Sequence, residues 1–185
     1  MKSFLIIGLG SFGHHLCHAL AQQRCEIMVV DKVSEALEDV LPYVVSAKVG
    51  DCTNEDVLRS FSVDNFDACF VCMGSNVLAS LQITSLLKEL GAKRVFSKAD
   101  DDTQAKFLLR NGADEVIYPE REVASNIAVS ASSDNIFDCI RLNADYSIYE
   151  LQPLKRWLGK SLKELNFRVK YNMTAVSYTH LRAHE

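Results

Sequence analysis

The strongest constraint on this chain is an alternation of short apolar runs with segments of helical periodicity, repeated six times between residues 3 and 118. Ser3-Phe4-Leu5-Ile6-Ile7 is the first apolar run. It stops at Gly8, and Phe12, Leu16, Ala19 and Leu20 then recur at helical spacing. A second strand over 27–30 ends at Asp31, and a helix carrying Ala36, Leu37 and Val40 follows it before Pro42. The third strand is read at 44–49. After it a short helix runs to about Ser60, with Thr53 as its cap and Asp56 three residues on. Residues 66–71 give strand four, and a long helix follows with Leu78, Leu81, Ile83, Leu86, Leu87 and Leu90 toward the core, ended by Gly91. Strand five covers 94–97, an amphipathic helix 100–111, and strand six 115–118. Parallel strands need crossover connections, usually helices, so six such repeats predict an α/β, Rossmann-like, doubly wound parallel sheet.

The 185 residues, 48% of them hydrophobic and only three proline, are enough for one full domain and part of another. The first domain is read at 1–135, its last helix at 119–135, with the polar 130–135 stretch as hinge. Residues 136–176 read as the opening of a second, smaller α+β domain, truncated, with strands at 147–151 and 171–176 and a short helix ending near Asn166. Residues 177–185 break the pattern and are expected to be a non-native or disordered tail.

Composition removes several function classes. A net charge of -4 offers no general attraction for nucleic acid, and no apolar run approaches the roughly 18 residues of a membrane span. The apolar stretch after Met1-Lys2-Ser3 is short and interrupted by glycine, which argues against a cleaved leader and for a cytoplasmic protein. Six scattered cysteines are expected to be reduced; Cys69-Phe70-Val71-Cys72 lies in a strand and has no second pair to complete a zinc site.

Chemistry concentrates at the strand ends. Gly8-Leu9-Gly10-Ser11-Phe12-Gly13 fits the G-x-G-x-x-G pattern between a strand and a helix, where the glycines permit a tight turn and close backbone approach to phosphate. The helix head adds N–H groups and a favourable dipole for an anion. Asp31, 18 residues after Gly13, is placed to accept hydrogen bonds from an adenosine ribose, and it would repel a 2'-phosphate. This points to NAD(H), ATP, ADP or AMP rather than NADP. Asp51 and Cys52 after strand three, and Gly74 and Asn76 after strand four, share that edge; Asp51 is expected near the adenosine and Asn76 near the distal half of the ligand. Lys98 is placed to reach a phosphate. His14, His15 and His18 on the first helix read as surface or packing residues, and no acid/base set for hydride transfer stands out.

Together with Ser97-Lys98-Ala99 and 111–120 (Asn-Gly-Ala-Asp-Glu-Val-Ile-Tyr-Pro-Glu), these motifs resemble the regulator-of-potassium-conductance domain, RCK or KTN, also described as TrkA-N. The likeness covers residues 1 to about 140. Within the family the chain is most similar to cytosolic subunits of bacterial Trk/Ktr potassium uptake systems, and 145–176 resembles the front of their C-terminal domain. The resemblance implies a non-enzymatic switch: a homodimer or larger ring, peripheral on the inner membrane face through a membrane-embedded potassium channel or transporter. It further implies that Glu120 helps hold a divalent cation near the nucleotide at the dimer interface, and that Arg121 approaches phosphate across that interface. Ser11 stands where ATP- and ADP-sensing members commonly carry arginine, which leaves ATP, ADP, AMP and NAD/NADH open. An NAD-dependent oxidoreductase fragment and a free-standing NADH/NAD redox sensor are the alternatives on the same fold.

Overall fold

The computed structural model describes residues 1–132, 134–141 and 146–177. The chain divides into two compact units, Met1–Val123 and Ala124–Glu185. The first is built on six strands, β1 (Ser3–Ile7), β2 (Glu26–Asp31), β3 (Ser46–Val49), β4 (Ala68–Val71), β5 (Val95–Lys98) and β6 (Glu115–Ile117). They form one parallel sheet in the order β3-β2-β1-β4-β5-β6, the Rossmann arrangement that the alternation predicts. The crossovers are α1 (Ser11–Gln22), α2 (Glu35–Glu38), α3 (Glu55–Arg59), α4 (Val77–Glu89) and α5 (Asp102–Arg110), and α6 (Pro119–Ala131) follows β6. The division between the two units falls inside α6.

Two-residue alternation makes both faces of the sheet apolar. Leu5 and Ile7 pair in register with Met28 and Val30 on one side and Cys69 and Val71 on the other. All six pack against Leu58 of α3 and Ile83 and Leu87 of α4. Ile6, with Ile27, Val29 and Phe70, faces the opposite way onto Cys17 of α1, Leu37 and Val40. Both clusters therefore share β1 at the middle of the sheet. A smaller cluster of Ala99, Ala105, Leu108 and Ala113 seats α5. One polar contact is buried on the α4 side: the Thr84 hydroxyl donates to the Ser80 carbonyl at 2.7 Å and lies 2.8 Å from Ser97 Oγ, which makes Ser97 the donor to Thr84.

Three local expectations change. The cap of α3 is Asn54, whose side chain accepts from Asp56 N at 2.9 Å. Thr53 stands one residue before that position, and its N–H and hydroxyl donate to Asp51. The helix after β6 stops at Ala131 rather than 135. In the second unit, Ile136–Arg141 forms β7, a strand the periodicity did not reveal, antiparallel to β8 (Ser147–Leu151). The expected strand over 171–176 is absent. Instead α7 (Phe167–Tyr171) ends there, and the short helix expected to end near Asn166 is a run of turns, preceded by a single 3-10 turn at Lys155–Trp157. The reason is an aromatic knot: Tyr171 packs 5.0 Å from Trp157 and accepts a hydrogen bond from its Nε1 at 2.9 Å, and Phe167 closes on Trp157 at 4.9 Å. Holding Phe167 and Tyr171 on one side of a single turn requires i,i+4 spacing. The proposed non-native tail lies, from residue 178 on, outside the described residues, as does Ser133 of the hinge stretch.

Leu87, fully buried on the α3/α4 side, should lose about 2–5 kcal/mol of stability on replacement by alanine, through lost transfer energy and the cavity left behind. Urea unfolding of the two proteins measures it.

Candidate functional site

The carboxyl ends of the strands open into a cleft of about 650 Å³, formed entirely within the first unit. β1 ends in the glycine loop, and the backbone there takes a shape only glycine tolerates well: Gly8 has φ +90°. Its N–H donates to Val30 O at 2.9 Å, tying the loop to β2. At Gly13 the need is space, since a Cβ would fall on the carbonyl oxygen of Gly8 and press the Cys72 side chain at 3.2 Å. Gly13 therefore seats α1 against the loop and does not itself line the cleft. Gly10 is the opposite case: a Cβ there would meet nothing within 4 Å, and Gly8, Gly10, Ser11 and Phe12 all line the cleft. The first turn of α1 has neither a capping side chain nor an acidic residue, so its N–H groups and dipole are directed at whatever fills that space.

Asp31 closes the adjoining wall. One carboxylate oxygen accepts from Leu9 N at 2.6 Å and the other from Val33 N at 2.9 Å. A carboxylate oxygen has two lone-pair directions, so each can still accept from a ligand hydroxyl. Cys52, Gly74 and Asn76 line the cleft as well. Asn76 has a second task, capping α4 by accepting from Ala79 N at 3.1 Å. Burial pushes the thiols of Cys52 and Cys72, both on the wall, up to about 12. They remain protonated, inert lining.

The far wall is ionic. Lys98, 14% exposed, holds Glu120 at 2.6 Å and Asp100 at 3.5 Å, and all three line the cleft. Burial works against the charge on Lys98, yet the hydrogen bond and charge of Glu120, with Asp100, raise its pKa above normal. Glu120 is correspondingly lowered by Lys98. No group of three or more His, Cys, Asp or Glu able to hold a metal occurs among the described residues. Glu120, already paired with an ammonium, does not fit a cation site by itself.

Two expected site residues stand elsewhere. Arg121 is outside the cleft lining; it lies 4.2 Å over the Tyr118 ring and donates to Asp102 at 2.6 Å. Asp51 is also outside it. Its carboxylate accepts from Thr53 N at 2.9 Å and from Thr53 Oγ1 at 2.6 Å, and pairs with Lys32 Nζ at 3.0 Å. His14, His15 and His18 do not line the cleft either; His18 packs against His14 at 4.7 Å and Tyr43 at 4.5 Å. Lining residues absent from the sequence-based set include Lys32, Met73, Ser75 and Asp100. Each sits one to three residues past a strand or next to an already chosen position, so extending the carboxyl-edge rule by two residues would have found them.

Hydrogen bonds from Thr53 and Lys32 pull the Asp51 pKa from 3.8 down to about 2. Its folded pKa is depressed, so its contribution to stability is present above about pH 4 and is lost as the pH falls through 2. Carboxyl-detected NMR titration should show Asp51 titrating near that lower value, and Asp51→Asn should remove its share of the acid limb of stability. A second expectation concerns Gly13→Ala, which should displace the head of α1 and lower the melting temperature, whereas Gly10→Ala should leave it nearly unchanged, as read by thermal denaturation.

Comparison with known proteins gives a consistent result. Residues 4–119 match the model of the TrkA-N domain. The chain is 36% identical over 176 residues to "Ktr system potassium uptake protein C" of Bacillus subtilis (strain 168), covering 95% of this chain and 80% of that one. It is also 36% identical over 179 residues to "Ktr system potassium uptake protein A" of the same organism, covering 97% and 81%. Among solved structures, the GsuK channel bound to NAD superposes with a TM-score of 0.68 at 13% identity, over 90% of this chain and 31% of that one.

Proposed function

Because the chain belongs to the TrkA-N domain family, we propose that it is a cytosolic regulatory subunit of a potassium channel or transporter, which binds an adenine nucleotide and performs no chemistry on it. The observation that carries this reading is the cleft at the carboxyl edge, where a bare helix head and the Asp31 carboxylate stand side by side, joined by the Leu9 N–H. The helix head suits a phosphate and the carboxylate suits two ribose hydroxyls. Its relatives bear the names of potassium uptake proteins, and a channel of the same fold has been captured with NAD.

Within the lining, Gly8, Gly10, Ser11 and Phe12 would hold phosphate, Asp31 the ribose, and Cys52, Gly74 and Asn76 the walls around the nucleosides. Lys98 would answer a distal phosphate only by exchanging it for Glu120 or Asp100. That exchange is the step by which occupancy becomes structural change. Glu120 lies in the first turn of α6, so drawing Lys98 away from it alters how that helix begins. α6 buries no residue and exposes Val123 and Ile127, as expected of the contact helix of a homodimer or ring. A ligand can shift such an assembly only by its difference in affinity for two arrangements, worth about 1–3 kcal/mol for typical couplings.

The oxidoreductase reading has less support, since among the described residues no histidine or tyrosine lines the cleft and both its thiols are held protonated. Thermal-shift screening against ATP, ADP, AMP, NAD, NADH and NADP should show stabilisation by unphosphorylated-ribose adenine nucleotides, about 2.7 kcal/mol at a hundredfold excess over Kd. Asp31→Asn, which keeps an acceptor for Leu9 and removes the charge, should weaken binding by about tenfold or more. Steady NADH oxidation with a small substrate would overturn the regulatory reading, and co-purification with a membrane potassium channel subunit would support it.

A further inference from the structure

The Lys32–Asp51 pair remains without a task in the account above. Lys32 directly follows Asp31 and lines the cleft, so its ammonium is the cation nearest in sequence to the carboxylate assigned to the ribose. It is nevertheless turned to Asp51, which lies outside the lining, with Nζ 3.0 Å from one carboxylate oxygen. The other oxygen of Asp51 is fixed by the N–H and hydroxyl of Thr53. Asp51 is therefore an immobile anion, held ionised down to a pKa of about 2, at the end of a strand bonded directly to β2: Asp31 pairs with Val49 and accepts the Gly50 N–H at 2.9 Å. Both side chains of the pair are about half exposed, Lys32 at 47% and Asp51 at 49%, so Lys32 has room to turn once Asp51 no longer holds it.

We propose that Asp51 is a positioning residue for ligand selectivity: it holds the Lys32 ammonium away from the ribose end of the cleft, so that Asp31 alone faces the 2'-position and nucleotides with a 2'-phosphate are rejected. The inference rests on the reading of the cleft as an adenine-nucleotide site. The physical logic is a competition for one cation. Beside Asp31 a 2'-phosphate meets like charge. A mobile ammonium one residue away would offset that repulsion through a charge-assisted hydrogen bond, and Asp51 removes it from the competition. Selectivity then depends on an unfavourable contact left uncompensated, which discriminates between ligands without adding affinity for the accepted one.

The test compares AMP with adenosine 2',5'-bisphosphate, which differ only by the 2'-phosphate, and NAD with NADP, by calorimetry on the full chain. Wild type should bind AMP and NAD and reject their 2'-phosphorylated partners. Asp51→Asn keeps the acceptor for Thr53 while releasing Lys32, and should narrow the preference by about tenfold, mainly through tighter binding of the 2'-phosphorylated ligand. The double variant Asp51→Asn with Lys32→Gln should restore the wild-type preference. Thermal melts of the free proteins confirm that each variant is folded. An unchanged ratio in Asp51→Asn, or a narrowed ratio that persists in the double variant, overturns the proposal and leaves the nucleotide site intact. If wild type binds none of the four, both the selectivity device and the site itself are overturned.

Discussion

A single carboxylate makes this cleft one object rather than two. The glycine loop belongs to β1 and α1, and the ribose wall belongs to β2, separated by 22 residues of chain. Asp31 joins them by accepting the Leu9 N–H, while Gly8 donates back to Val30. The loop could not otherwise keep a left-handed residue and an uncapped helix head pointing in a fixed direction, since neither conformation is favoured without support. The same anion that orders the loop is presented to a ligand. Ordering the loop and meeting the nucleotide proposed above would therefore be tasks of one group, and the cleft exists before anything enters it.

Much of the fold was readable because its information is local and periodic. β1, β2 and β4 are apolar on every position that matters, and the helices that cover them carry their apolar residues at helical spacing. The glycine motif gained its meaning from its position between the first strand and the first helix. What escaped the sequence was decided by contacts between distant or competing groups. Thr53 looks like a cap and is not one, because Asn54, one residue nearer the helix, takes the position and accepts from Asp56 N. Tyr171 has the makings of a strand residue, yet Trp157, 14 residues earlier, fixes it on a helical turn. No short window of neighbouring residues contains the second fact.

The site divided in the same way. Residues placed by backbone alone, such as Gly8, Gly10 and Cys52, stand where the motifs put them. Charged side chains were harder, because a long side chain takes its direction from its partner. Asp51 was expected near the adenosine and Arg121 near a phosphate across an interface; within this chain they pair with Lys32 and Asp102. Asp100 and Lys32 enter the cleft although neither stood out as a motif. The ionic part of the cleft is thus a network of exchangeable pairs, as the switch proposed above would need.

The protonated sulfur atoms on the cleft wall carry one more consequence. Peroxides and electrophiles react with thiolates, and at neutral pH neither Cys52 nor Cys72 supplies one. Thiolate-directed oxidants would find little to attack at these two positions. For a regulator of the kind proposed above, the nucleotide cleft would then stay usable under conditions that modify enzymes with exposed thiolates.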